Sequence, residues 1–173
     1  MTPNKDRAEA VVLAILGFAP AGMGRTKLYK AFWLAHLYFA RANPGFLTDW
    51  PVVRMPNGPG IDRGDHLLGD LEAHGLISQD FEQIGPFSEK RVRLVGSPPV
   101  LSPEAGSAIR EAAEFVQGHT AADLSQMSHD FSRSWRTKSN GDELDIYSDL
   151  IPDDEFTTLS NTLATVDADA LFR

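Results

Sequence analysis

MGRTKLYKAFWLAHLYFAR, residues 23–41, is the stretch whose reading decides the fold. Leu28, Phe32, Ala35 and Phe39 recur at steps of three and four, and Tyr29, Trp33, Leu37 and Ala40 fill the flank beside them. That spacing predicts a helix with a very broad apolar side. Within it, Lys27, Lys30 and His36 are the polar interruptions before Arg41. A helix of this kind has to be covered on more than one side, and its few polar atoms need partners once water is gone. It reads as the central helix of one core.

Working outward, Asp6–Leu16 predicts a first helix that packs on the central one, with Val11, Val12, Leu13, Ile15 and Leu16 as its apolar side. Asn43-Pro44-Gly45 ends the central helix, because a residue before proline avoids the α region and glycine permits the turn. Pro51–Met55 reads as extended, Pro56–Gly60 as a loop, and Ile61–His74 as a helix burying Ile61, Leu67, Leu68 and Leu71, with Gly75 as its stop. A β-hairpin follows: residues 76–84, a turn at Gly85–Ser88, and a return strand over Lys90–Val95 with Arg91 and Arg93 on its outer face. Ser102-Pro103-Glu104 predicts a helix start, with serine as N-cap and proline in the first turn, and the helix runs to Gln117. Thr120 and Asp123 suggest a capping pair for a short helix through Met127. From Phe131 to Asp145 the chain reads as a polar loop anchored by Trp135. Asp153 is placed to cap a last acidic helix carrying Phe156, Leu159 and Leu163, within residues 153–173.

With 173 residues, 42% of them hydrophobic, the chain suits one well-filled core, so residues 1–173 are expected to form a single domain. The absence of cysteine excludes disulfide and thiolate chemistry and fits a reducing cytoplasm. No segment reads as a membrane span, and MTPNKDRAEA does not read as a signal peptide. A net charge of -8 argues against unspecific phosphate binding. From Gly141 onward nine carboxylates face the single cation Arg173, which suggests a solvated acidic surface or a basic partner.

Several constellations invite chemistry and each has a plainer reading. Gly58-Pro59-Gly60 opening a helix, with Asp80 about twenty residues on, imitates a dinucleotide fingerprint, but Pro59 removes an N–H where a pyrophosphate needs one and no βαβ unit follows. His66, Asp70 and His74 sit at steps of four on one helix, yet two histidines eight residues apart do not share an ion directly. Ser125, Ser128, His129 and Asp130 contain the residue types of a hydrolase triad, but neighbours in sequence rarely converge on one acyl carbon. No metal, cofactor or catalytic residue is therefore expected, and the chain does not read as an enzyme. The helix-plus-hairpin over Ile61–Val95 has the outline of a winged helix, whose wing would offer Lys90, Arg91 and Arg93 to DNA. Asp62, Asp65, Asp70 and Glu72 on its helix oppose that reading.

Three stretches taken together resemble one family. Thr26-Lys27-Leu28-Tyr29-Lys30-Ala31-Phe32-Trp33-Leu34-Ala35 resembles the KLxKLLY-like central helix of the Panacea, or SocA-like, antitoxin-domain family. Asn57-Gly58-Pro59 resembles its YGP turn, with Asn57 where an aromatic is usual. Leu124-Ser125-Gln126-Met127-Ser128-His129 followed by Trp135 resembles its LSxLSH…W segment. The order agrees across residues 8–152. The resemblance implies a mostly helical domain with a small β element that neutralises a cognate toxin by direct binding, from a toxin–antitoxin or phage-related operon. Lys27, Tyr29, Lys30, Asn57, Gly58, Pro59, His129 and Trp135 are then the motif residues that shape the domain or touch its partner. His129 and Trp135 are expected to pin the polar loop.

The expected fold is thus mainly α in the α+β sense: a single compact helical domain around a buried central helix, with a small β-hairpin, winged-helix-like in its middle part. The expected partner is a toxin whose identity is not legible in this chain, and a homodimer is allowed. The alternative is a winged-helix-like transcriptional regulator that binds DNA.

Overall fold

The computed structural model of the chain describes residues 3–165. In chain order the elements are α1 (Lys5–Gly17), β1 (Met23–Gly24), α2 (Arg25–Ala42), β2 (Val52–Met55), β3 (Gly58–Ile61), α3 (Gly64–Ala73), β4 (Ile77–Ile84), β5 (Phe87–Leu94), α4 (Pro103–Gln117), α5 (Ala121–Phe131), α6 (Arg133–Thr137), a 3-10 turn at Ile146–Leu150, and α7 (Asp153–Thr165). This is an α+β fold, with more strand than a helical body carrying one hairpin. An antiparallel sheet has the order β1-β5-β4, and β2 and β3 form a second, two-stranded pair.

The central helix is where the sequence places it. Leu28, Ala31, Phe32 and Ala35 of α2 are fully buried, and α1, α4, α5, β3 and the 3-10 turn pack around them. Burying side chains the size of Leu28 and Phe32 contributes roughly 1.5–3 kcal/mol each. α4 is the most extensive partner, through Ile109, Ala112, Ala113 and Val116, whose small residues let the two helices approach closely. Phe39 is only half-buried, because the helix is leaving the core by then.

His36 shows how a polar atom survives in this interior. Its Nδ1 lies 2.7 Å from the Phe32 carbonyl oxygen and its Nε2 lies 2.9 Å from Thr48 Oγ1. A carbonyl can only accept, so Nδ1 carries the proton and Nε2 accepts from the threonine hydroxyl. Burial disfavours the charged ring and pushes its pKa down to about 4, so the ring is held neutral.

Several local expectations need correction. Pro56–Gly60 is not all loop and Ile61 does not begin a helix: β3 pairs with β2 in the register Val52↔Ile61 to Met55↔Gly58, leaving only Pro56 and Asn57 as the turn. Arg63, at φ 46°, then turns the chain into α3. Pro59 is tolerated in a strand because β3 is an edge; the other side of β2 is covered by residues 141–144, through Arg54 N to Asp142 O and Leu144 N to Val52 O. The polar loop after Phe131 holds the five-residue helix α6. Asn140-Gly141 forms a turn within that loop. The caps at Ser102 and Thr120 are as read, with Thr120 and Asp123 forming a capping box, though α5 runs on to Phe131. Asp153 is the first residue of α7. The side chains of Leu159 and Leu163, and residues 166–173 of the acidic end, lie outside the described residues.

Candidate functional site

Three stretches far apart in sequence meet at Lys30. This side chain is 2% exposed, and its Nζ donates to the Pro59 carbonyl oxygen at 3.1 Å. Among the described residues no carboxylate lies within 4 Å of it. Burial without a counter-ion pushes its pKa down from 10.5 to about 8. The third stretch arrives through Ser128 of α5, fully buried, whose hydroxyl donates to Ser125 O at 2.8 Å. Gly58 stands between them at φ 102°. A Cβ there would lie 2.8 Å from Lys30 Nζ and would collide with Ser128 Oγ, so the turn admits only glycine for reasons of both backbone and space.

His129 and Trp135 are brought together as expected. Their rings stack at 3.7 Å and 10°, and the Arg54 guanidinium covers Trp135 at 4.3 Å from the ring centre. Trp135 Nε1 donates to Met55 O at 2.8 Å, and Arg54 Nε donates to Trp135 O at 3.0 Å. The tryptophan thus fastens α6 to β2, and cation–π contacts of this kind add roughly 0.5–1 kcal/mol when exposed. Burial, then the cations of Lys30 and Arg54, hold the His129 pKa below its ordinary value. Its Nε2 is buried without a hydrogen-bond partner.

Of the other motif residues, Tyr29 is buried with its ring against Gly60 and its hydroxyl end against Gly64. Lys27 is half-buried and Asn57 is exposed at the turn. Tyr29, Lys30, Asn57, Gly58 and Pro59 together line a cavity of about 190 Å³. On the other side of Lys30, a larger apolar groove of about 390 Å³ runs between α2, α4, α5 and the 3-10 turn. Met127, Phe131 and Leu150, all more than a third exposed, form part of its lining.

The remaining candidates do not assemble. Arg91 and Arg93 are not a free outer row: Arg91 pairs with Glu82 and Glu89, and Arg93 with Asp80 and Glu82, at 2.6–2.8 Å. Cross-strand neighbours of opposite charge on β4 and β5 explain the ladder. Lys90 lies on the opposite face, across from Phe81. Asp70 is bound to Lys5 at 2.8 Å, and Asp130 accepts from Gln126 rather than from His129. The acidic stretch is partly internal: Asp149 is buried, accepting from Ser132 Oγ at 2.6 Å and Ser134 N at 3.0 Å, and Asp153 pairs with Arg133. Glu143, Asp145, Asp154 and Glu155 stay exposed.

The sequence reading missed Arg54, Ser128 and Asp149 as structural partners. Arg54 had no signal beyond its strand. Ser128 and Asp149 are polar residues at helical or turn spacing, with nothing to separate them from solvated ones. Among the described residues, no helix is long and apolar enough to cross a membrane. No protein-family model matches the chain, and no curated protein and no solved structure matches it either.

Proposed function

We propose that this chain is an antitoxin-like protein-interaction domain that neutralises a cognate toxin by direct binding, with Lys30, Pro59, Ser128, His129 and Trp135 holding together the frame beneath a binding face that includes Met127 and Phe131. The observation that carries this reading is convergence. The stretches that resemble the Panacea domain are separated by tens of residues, yet they meet around Lys30 Nζ and Pro59 O, beside a groove with Met127 and Phe131 exposed in its lining. An exposed apolar patch next to a buried polar knot suits recognition of a second macromolecule. The exposed carboxylates Glu143, Asp145, Asp154 and Glu155 suit a basic partner surface.

The middle of the chain supports a winged-helix-like frame, since β1 precedes α2, α3 precedes the β4–β5 hairpin, and β1 pairs with β5. In such a frame α3 would face DNA. It carries Asp65, Asp70 and Glu72, and Arg91 and Arg93 are already neutralised, so a protein partner has more support than a duplex.

The test is co-expression of the tagged chain with the product of the neighbouring gene in the native host. The neighbour is expected to be toxic alone, harmless with this chain, and to co-purify with it. A neighbour that is harmless alone, with no protein co-purifying, overturns the reading.

A further inference from the structure

The smaller cavity beside Lys30, of about 190 Å³, lies between the start of α2 and the β2–β3 turn, with Thr26, Tyr29, Lys30, Asn57, Gly58 and Pro59 in its lining. The Lys30 atoms that meet Gly58 and Pro59 are its terminal ones. Nζ donates to Pro59 O at 3.1 Å, and Nζ and Cε lie 2.8 and 3.0 Å from where a Cβ on Gly58 would stand. A side chain at position 58 would fill the space in front of the amine, and glycine leaves it open. The one carboxylate in the lining, Asp65, is bound to Arg25 at 2.7 Å. Lysine amines that are buried with no anion to hold their charge are the ones that serve as nucleophiles. With a pKa of about 8, about a tenth of the Lys30 amine carries a free lone pair at pH 7, roughly two orders of magnitude more than an ordinary lysine offers. The other lysines are placed differently: Lys5 is held by Glu9 and Asp70, Lys27 and Lys90 are half-buried, and Lys138 is exposed.

We propose that Lys30 is a covalent capture site for small uncharged aldehydes, which enter this cavity and form a Schiff base with its amine. The unprotonated nitrogen adds to the carbonyl carbon while one N–H hydrogen passes to the carbonyl oxygen. The resulting carbinolamine loses that hydroxyl and the second N–H hydrogen as water, leaving the C=N bond, and no oxidant or reductant is consumed. Size and charge follow from the cavity. Drug-sized ligands occupy about 300–1,000 Å³, so this space suits a guest of a few carbons. Burial that disfavours the lysine's own charge disfavours a charged guest as well. Lys30 is 2% exposed, so a reagent reaches the amine by entering the cavity rather than from bulk water. The proposal goes beyond the toxin-binding reading and is tested without a second protein.

The test is reductive trapping. The purified full chain is treated at pH 7 with propanal and sodium cyanoborohydride, which turns an imine into a stable secondary amine, and the labelled lysines are mapped by mass spectrometry of peptic peptides. Lys30 is expected to be labelled at least tenfold faster than Lys5, Lys27, Lys90 or Lys138, and that preference should vanish in concentrated urea. Periodate-oxidised dextran, whose aldehydes are tethered to a polymer too large for the cavity, should label surface lysines and spare Lys30. All comparisons are made within the wild-type chain, so no variant has to fold. A preference below tenfold would show the amine closed to carbonyl compounds and overturn the proposal. A preference that survives urea, or labelling of Lys30 by the dextran, would place the reactivity outside the cavity and overturn it as well.

Discussion

Lys30 Nζ donates to the carbonyl oxygen of Pro59 across 29 residues of chain, and both groups are buried. The bond ties the middle of α2 to the edge strand β3. Pro59 has no N–H to give, so its carbonyl is the group of that residue open to a partner. The lysine carries its charge into the interior with this single acceptor.

That arrangement predicts an unusual alkaline stability. Below pH 8 Lys30 is protonated in both states and the cost of its burial is constant. Between about 8 and 10.5 only the unfolded chain holds the proton, so raising the pH favours the folded state. At 1.36 kcal/mol per pH unit the gain is about 3 kcal/mol. Urea unfolding at pH 7.5 and 10 should show wild type gaining roughly this much relative to Lys30→Met, a difference that cancels the other titrating groups.

His36 predicts a slope of the same sign in acid. Its folded pKa of about 4 lies below the ordinary 6.5, so its contribution is fully present above pH 6.5 and is lost as the pH falls toward 4. The loss is about 3 kcal/mol, and His36→Gln should flatten it in urea titrations between pH 7 and 4.5. Thr48→Val removes the donor to Nε2 and should cost about 1–3 kcal/mol at pH 7.

Gly58→Ala places a methyl against Ser128 and Lys30 at a backbone angle that alanine resists. The cost should be about 2–4 kcal/mol, combining overpacking with the left-handed conformation. Gly69→Ala, on the exposed side of α3 with nothing within 4 Å, should instead stabilise by about 0.5–1 kcal/mol. Thermal unfolding of the two variants should move in opposite directions.

Trp135→Phe keeps a ring between His129 and Arg54 but leaves the Met55 carbonyl without its donor. A loss of about 1–2 kcal/mol is expected, and Arg54→Ala should cost less because its other bonds are half exposed. Equal effects would mean that the stack, rather than the Nε1 bond, holds α6 to β2.

These contrasts show what the sequence made legible. The period of residues 28–39 located the central helix, and Ser102, Thr120 and Asp123 located their caps, because those signals depend on neighbours three or four positions away. Strand β3 was hidden because Gly58-Pro59-Gly60 has poor strand propensity. It forms because Val52 and Ile61 pair and the small residues fit under Tyr29 and Met55. The site was legible only in part for a similar reason. Lys30, Pro59, His129 and Trp135 stand out as residues, but Ser128, Arg54 and Asp149 become partners only through contacts 15 to 81 residues apart. The outward row expected of Arg91 and Arg93 failed on cross-strand acids that pattern alone does not register.

The central claim, that the face beside Lys30 neutralises a toxin, is tested most directly by growth of the native host expressing the neighbouring gene with either wild type or Met127→Glu/Phe131→Glu. Both positions are 41–51% exposed, so the double variant should fold as wild type by circular dichroism. The account predicts full growth with wild type and loss of rescue with the folded double variant. Rescue that is undiminished by the two glutamates would contradict it.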